Sequence, residues 1–186
     1  MKYIRPTLVL LIICVVISGL LAVTYHFTYV PPLTDPSDIV AAMAEDYSAV
    51  LPGSSDYDLI FRTEGYDKLT AGEIVEATCA SNGYIITTHS SGQYDSDPIR
   101  VMVGIDENGC VSGVRILKIS ETPGLGLKTN SPGWLAQFVG GKIFSLDGKS
   151  GTAIDGITSA TKSSKAIVNA VNMAMEKYAE IAAEVK

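Results

Sequence analysis

Two runs of alternating apolar residues flank Asn108-Gly109 in the segment Val103–Leu117, VGIDENGCVSGVRIL. Alternation of this kind is typical of a half-buried β-strand. An Asn-Gly pair between two such runs favours a turn with positive φ, and therefore a β-hairpin. The sequence thus predicts an antiparallel pair of strands in the middle of the chain.

The same signals extend the sheet and add helices. Residues 73–79 and 83–90 are rich in β-branched side chains, and residues 99–106 and 110–120 form the hairpin already described. A short helix is predicted over 131–140 and a long one over 163–186. The long helix carries one apolar stripe that should cover a sheet face: Ile167, Val171, Ala174, Tyr178 and Ile181. The fold class predicted is α+β, with a mainly antiparallel sheet packed by helices.

The N-terminal stretch is long and apolar enough to cross a membrane. No formally charged side chain lies between Arg5 and Asp35, and Leu8–Val23 is dominated by Leu, Ile and Val. Because Lys2 and Arg5 precede the span, the positive-inside rule places the N-terminus in the cytoplasm and residues 35–186 outside the cytoplasmic membrane. A cleaved signal peptide is the alternative, disfavoured because the run is long and lacks a clear Ala-x-Ala site.

We therefore interpret residues 1–34 as a membrane anchor, 35–72 as a juxtamembrane helix and linker, and 73–186 as one α+β domain. The juxtamembrane helix is predicted from apolar residues at helical spacing before Pro52-Gly53, which ends it. Those residues are Ile39, Val40, Met43, Tyr47 and Val50.

Composition narrows the range of functions. The net charge of −6 argues against a nucleic-acid partner, because phosphate binding needs clustered Lys and Arg. Cys14 is interpreted as an apolar membrane residue, and Cys79 and Cys110 are predicted to be either paired or both buried. His26 and His89 are isolated and are interpreted as structural, since no spacing resembles a metal site.

The first motif that carries chemistry is Ser120–Lys128, SETPGLGLK. Its Pro and Gly residues force a loop directly after a strand, and Glu121 and Thr122 hold polar atoms at the start of that loop. Glycine lets a backbone approach a ligand closely. A plain strand-to-helix connection explains the same composition.

The second motif is Asp155–Val171, DGITSATKSSKAIVNAV, where hydroxyls crowd the mouth of the long helix. Capping the helix requires only one or two of them. The excess, together with Lys162 and Lys165, indicates a phosphate group held by the free N–H donors at the helix start. The hydroxyl residues are Thr158, Ser159, Thr161, Ser163 and Ser164.

Together, behind a membrane span, the two motifs resemble the FMN-binding domain family of membrane redox complexes. That family includes the G subunit of the Rnf electron-transport complex and, as a relative, the C subunit of the sodium-pumping NADH:quinone reductase. Its acceptor motif is Asp, two free positions, Ser or Thr, usually Gly, then Ala-Thr. Asp155, Thr158, Ala160 and Thr161 match this motif, whereas Ser159 stands where glycine is usual.

The resemblance implies an electron-relay subunit of an ion-translocating, Rnf-type complex, with 73–186 as the FMN-binding domain. It also implies FMN attached to Thr161 through a phosphoester, a separate flavin transferase, and other membrane subunits as partners. Since the cofactor supplies the redox chemistry, no catalytic side chain or metal is expected. The implied cofactor-binding residues are Glu121, Thr122, Gly124, Leu125, Gly126, Asp155, Thr158, Ser159, Ala160, Thr161, Lys162 and Ser163.

Further roles follow from this interpretation. Leu125 and Trp134 are expected to offer apolar surface to the flavin ring, and Lys128 and Lys162 to balance the phosphate charge. The alternative function is a membrane-tethered, non-redox binding or structural module, which would be colourless. An enzyme acting on an external substrate is a third candidate, for which the sequence shows no nucleophile with an adjacent base.

Overall fold

The computed structural model describes residues 4–28, 35–63, 65, 71–91, 97–121 and 123–184. Of the residues discussed above, Lys2 and Thr122 lie outside these ranges. The chain divides into two compact units, Met1–Asp35 and Pro36–Lys186.

The first unit is built on helix α1, Ile4–Thr28. Its 25 residues rise about 37 Å at 1.5 Å each, which exceeds the roughly 30 Å of a bilayer's hydrocarbon core. Between Thr7 and Thr28 the mean hydropathy reaches 2.8, and the apolar side chains there are exposed. The helix is thus long and apolar enough to serve as a membrane anchor.

The second unit contains a five-stranded antiparallel sheet whose strands lie side by side in chain order. The hairpin predicted from Asn108-Gly109 joins its last two strands, with φ of +70° at Gly109 and its N–H donating to the carbonyl of Asp106 at 2.9 Å. The predicted α+β class with an antiparallel sheet is confirmed. The strands are β1 (Asp58–Arg62), β2 (Ile74–Ala80), β3 (Gly83–Ser90), β4 (Ile99–Asp106) and β5 (Val111–Lys118).

Two helices cover opposite faces of this sheet. Helix α4, Thr161–Glu184, packs its predicted stripe on β2, β3 and β4, with Ile167, Val171 and Ala174 fully buried. Helix α2, Pro36–Val50, packs on the other face through Tyr47 and Val50, against residues that alternate with those under α4. Helix α2 and strand β1 therefore pack within the same unit as the sheet, although both lie in the segment interpreted as juxtamembrane helix and linker.

Short elements close the end of the core between β5 and α4. They are a 3₁₀ turn at Gly126–Asn130, helix α3 at Pro132–Leu135 with a 3₁₀ turn at Ala136–Phe138, and the parallel pair β6 (Phe144–Ser145) and β7 (Thr152–Ala153). Three aromatic rings, those of Trp134, Phe138 and Phe144, pack edge to face at centroid distances of 5.5 and 5.1 Å. The helix predicted over 131–140 is thus present in a shorter form.

The prediction for Cys79 and Cys110 is wrong in both of its alternatives. Each is a free thiol that is only partly buried. Cys79 is paired across the sheet with Tyr84, Tyr84 with Ile105, and Ile105 with Val111. The two cysteines are therefore about three strand spacings apart, roughly 14 Å, and a disulfide requires Cα atoms within about 7 Å.

Candidate functional site

The segment before α4 forms an exposed turn. The N–H of Ala160 donates to the carbonyl of Ile157 at 2.9 Å, and Ser159 within this turn has φ of +65°. The side chains of Thr158, Ser159 and Thr161 are all exposed. An incoming group from solvent can therefore reach the Thr161 hydroxyl.

Helix α4 begins without a capping hydroxyl at the usual position. The carbonyl of Ala160 accepts the first helical bond, from the N–H of Ser164 at 2.9 Å, which makes Ala160 the N-cap and Thr161 the first helical residue. Alanine has no side-chain oxygen to offer, and the N–H groups of residues 161–163 have no acceptor within the helix. Capping from the N-cap position therefore does not account for the hydroxyls.

One of those hydroxyls has a different structural role. Ser164 Oγ donates to the carbonyl of Ala160 at 3.0 Å and accepts from the N–H of Ile157 at 3.1 Å. Ser164 is fully buried, so it ties the turn to the first helical turn from the inside. The sequence carries no signal for these bonds, although Ser164 is among the hydroxyls that crowd the helix start.

Helix α3 and the turn after it hold the start of the same segment by its backbone. Trp134 Nε1 donates to the carbonyl of Asp155 at 2.7 Å, and the N–H of Asp155 donates to Gln137 Oε1 at 2.8 Å. Asp155 itself is exposed. Trp134 is buried against Phe138, so the expectation that its ring offers apolar surface to a flavin is corrected: it positions Asp155 from the core.

The two sequence motifs meet at the first turn of α4. Ser163 Oγ donates to Glu121 Oε2 at 2.8 Å, and both residues are buried. Gly126 fits closely against the pair, because a Cβ at this position would lie 2.6 Å from Glu121 Oε2 and 2.8 Å from Ser163 Oγ. The loop after β5 therefore packs directly on the helix that begins at Thr161.

The outer side of this region combines apolar and cationic groups. Leu125 and Leu127 are 42% and 37% exposed. Gly124, which precedes them in the loop after β5, has φ of +78°. Lys128, Lys162 and Lys165 are exposed as well. A helix N-terminus and ammonium groups suit an anionic head group, and exposed leucines suit a flat apolar body.

Two cavities lie away from this region. One of about 480 Å³ lies between β5 and α3, and one of about 530 Å³ lies beside Tyr178 on the later part of α4. Among the described residues that line them, none belongs to 121–126 or 155–165. The region around Thr161 is singled out by its chemistry and its exposure.

The model of the FMN-binding domain family matches residues 95–176. This range contains both motifs and the turn that joins them to α4. The exposed Thr161 and the loop at 121–126 therefore both lie within the range that matches this family.

Two relatives resemble the chain over longer stretches. The G subunit of the Na⁺-translocating ferredoxin:NAD⁺ oxidoreductase complex of Acetobacterium woodii is 31% identical over 122 residues, covering 62% of this chain and 55% of that protein. The G subunit of an ion-translocating oxidoreductase complex of Methanosarcina acetivorans is 27% identical over 169 residues, covering 87% and 89%. The match thus spans about half the length of the first relative.

The chain also resembles a solved structure. The C subunit of the Na⁺-translocating NADH-quinone reductase of Parabacteroides distasonis superposes with a TM-score of 0.51 and 19% identity, covering 75% of this chain and 82% of that one. At this identity the likeness shows the fold.

Proposed function

We propose that this chain is a membrane-anchored flavoprotein component of an ion-translocating complex, and that it relays electrons through an FMN attached to Thr161 by a phosphoester. The observation that carries the proposal is the exposed hydroxyl of Thr161 at the first helical position of α4, within a region of the FMN-binding domain family. The relatives from ion-translocating oxidoreductase complexes support the assignment to such a complex.

The residues around Thr161 fit the proposed group. A phosphodiester keeps a negative charge, which the unpaired N–H groups and dipole of the α4 N-terminus stabilise. Lys162 adds a mobile positive charge at the same end, and Leu125 adds apolar surface. FMN, when bound, supplies one- and two-electron redox chemistry, so the chain's own task is to hold and orient it.

Attachment requires a second protein, a flavin transferase that acts on the exposed turn. Asp155 is part of the signal it reads, because α3 fixes the backbone of Asp155 while its carboxyl group remains exposed. A fixed backbone presents the side chains of the turn in one arrangement, which lowers the ordering cost of recognition.

In this proposal the N-terminus lies in the cytoplasm and the domain lies on the extracytoplasmic side of the membrane. Helix α1 spans the cytoplasmic membrane, and the positive charges that precede the span keep the N-terminus inside. The domain with its flavin then lies on the extracytoplasmic side, beside other membrane proteins of the complex. A reporter fused after Lys186 should be active outside the cytoplasm, and activity inside would reverse the orientation.

The deciding experiment is to replace Thr161. Thr161→Ala, made in cells that contain an active flavin transferase, should fold and reach the membrane but carry no flavin fluorescence after denaturation. Thr152→Ala is the matched control, because Thr152 is an equally exposed threonine in β7, outside the acceptor motif. Thr161→Ser retains the hydroxyl and shows whether the transferase also requires the methyl group.

Peptide mass spectrometry identifies the attachment site. An FMN adduct on the peptide with Thr161 supports the proposal. An adduct on Ser159 or Ser163, or colourless protein from membranes with active transferase, contradicts it and favours the non-redox module.

A further inference from the structure

A buried hydrogen bond joins the two motifs across 42 residues of sequence, from Ser163 Oγ to Glu121 Oε2. We propose that Glu121 is a positioning residue, which acts through Ser163 to hold the loop 121–126 on the first turn of α4 and so orients a flavin attached to Thr161. This inference rests on the proposed function, and it assigns Glu121 a role other than that of a direct ligand.

Glu121 faces inward, away from the side of the helix on which Thr161 lies. Its side chain is 7% exposed and Ser163 is 2% exposed, whereas Thr161 is exposed. Residues two positions apart in an α-helix are separated by about 200° around the axis, so Thr161 and Ser163 lie on opposite sides of the first turn. The carboxylate therefore occupies the inner side of the helix start and leaves the outer side to a phosphate.

The loop fits closely against the first turn of α4 at Gly126. Gly126 leaves no room for a side chain between Glu121 and Ser163, and its carbonyl accepts from Thr129 Oγ1 at 2.6 Å. The contact between Glu121, Gly126 and Ser163, here called the lock, fixes where the loop stands relative to α4. Leu125, exposed on the same loop, is thereby fixed too.

The way in which a phosphate-linked flavin is attached leaves its ring free to turn. A flavin held only by its phosphate is connected through a flexible ribityl chain, so a covalent bond to Thr161 does not orient the ring. Orientation requires contacts from residues that are themselves held in place. The lock supplies that support for the loop nearest the start of α4.

The test uses full-length, flavinylated protein purified from membranes, with two measurements on its covalent flavin: fluorescence anisotropy and visible circular dichroism. Ser163→Ala and Glu121→Ala should retain covalent flavin, but its anisotropy should fall toward that of a flavinylated peptide and its visible dichroism should weaken. Glu121→Gln should recover most of both signals, because the amide oxygen accepts the same hydrogen bond.

Thr88→Val is the control for a merely structural loss. Thr88 Oγ1 donates to the carbonyl of Ala170, so this variant removes another buried hydrogen bond to α4, far from the loop. It should lower stability and leave both flavin signals unchanged. The inference about Glu121 would be overturned if Ser163→Ala kept the anisotropy and visible dichroism of wild type, or if Thr88→Val lost as much of both signals as Ser163→Ala does. Neither result would contradict the proposed function.

The proposed function is judged separately in the same preparation. Wild-type protein without covalent flavin would overturn the proposed function together with this inference. If wild type carries covalent flavin but Ser163→Ala and Glu121→Ala keep both flavin signals, as Thr88→Val should, the proposed function is supported and the role proposed for Glu121 is wrong.

Discussion

The indole N–H of Trp134 lies 2.7 Å from the carbonyl oxygen of Asp155, which ties the first residue of the acceptor motif to the aromatic end of the core. Trp134 packs against Phe138, and Phe138 packs against Phe144. The exposed segment before α4 is thus fixed by a buried ring rather than by its own side chains.

Trp134→Phe should keep an aromatic ring in the core but lose the donor to Asp155 together with the second ring of the indole. The lost hydrogen bond alone should lower the free energy of unfolding by about 1–2 kcal/mol and Tm by roughly 2–8 °C, and the smaller ring adds to both losses. The flavinylated fraction, measured by fluorescence after denaturation, should fall too. Phe138→Leu is the control, since it removes core surface without touching Asp155 and should keep its flavin.

Ser159→Gly should stabilise the protein. Ser159 has φ of +65°, which costs a non-glycine residue about 1–2 kcal/mol, whereas the chain entropy of glycine costs about 0.5–1 kcal/mol. The expected net gain is about 0.5 kcal/mol, or 1–2 °C in Tm. Ser131→Gly is the matched control, because exposed Ser131 has φ of −78° and should lose stability on the same change. Equal losses in both variants would contradict the argument.

The hairpin and the α4 stripe could be predicted because each is a local pattern. Asn108-Gly109 specifies its own turn, and the period of the α4 stripe specifies its buried face. Strand β1 was missed because DLIFR is a short edge strand with an irregular register and only partial burial. Its place in the sheet depends on pairing with β2, which no pattern within five residues reveals.

In the candidate site, too, the sequence predicts only the features whose residues are close together in the chain. Thr161 was found from its motif, since the resemblance depends on residues close in sequence. The hydrogen bonds from Asp155 to Gln137 and from Ser163 to Glu121 join residues 18 and 42 positions apart, and the sequence carries no signal for such pairs. The sequence also could not show that Cys79, in β2, and Cys110, next to the start of β5, are too far apart to form a disulfide.

Tyr47→Phe should destabilise the domain by removing a buried donor. Tyr47 is fully buried and donates to Glu76 Oε1 at 2.6 Å, and Glu76 is itself only 2% exposed. A buried carboxylate that loses its donor costs about 2 kcal/mol, so Tm should fall by roughly 4–8 °C. Tyr57→Phe, which changes a partly exposed tyrosine beside Tyr47, should have a smaller effect.

The same pair predicts a dependence on alkaline pH. Burial, and then the charge of Glu76, raise the pKa of Tyr47 well above its ordinary value. A raised folded pKa contributes stability that is fully present below the unfolded pKa of about 10 and is lost as the pH rises above it. In denaturant titrations, wild type should therefore lose more stability than Tyr47→Phe between about pH 9 and 11. Parallel losses in the two proteins would contradict the assignment.

Gly126→Ala and Gly133→Ala should change stability in opposite directions, although both add one methyl group. At Gly126 the new Cβ would lie 2.7 Å from Glu121 Cβ in the same loop and 2.8 Å from Ser163 Oγ in α4, so the loop must shift. Overpacking of this kind costs about 2 kcal/mol, which lowers Tm by roughly 4–8 °C. At Gly133, in α3, nothing lies within 4 Å of the new Cβ, and alanine should stabilise the helix by up to about 1 kcal/mol. Thermal unfolding followed by circular dichroism measures both, and a Gly126→Ala protein as stable as wild type would show that Gly126 does not fit closely against Glu121 and Ser163.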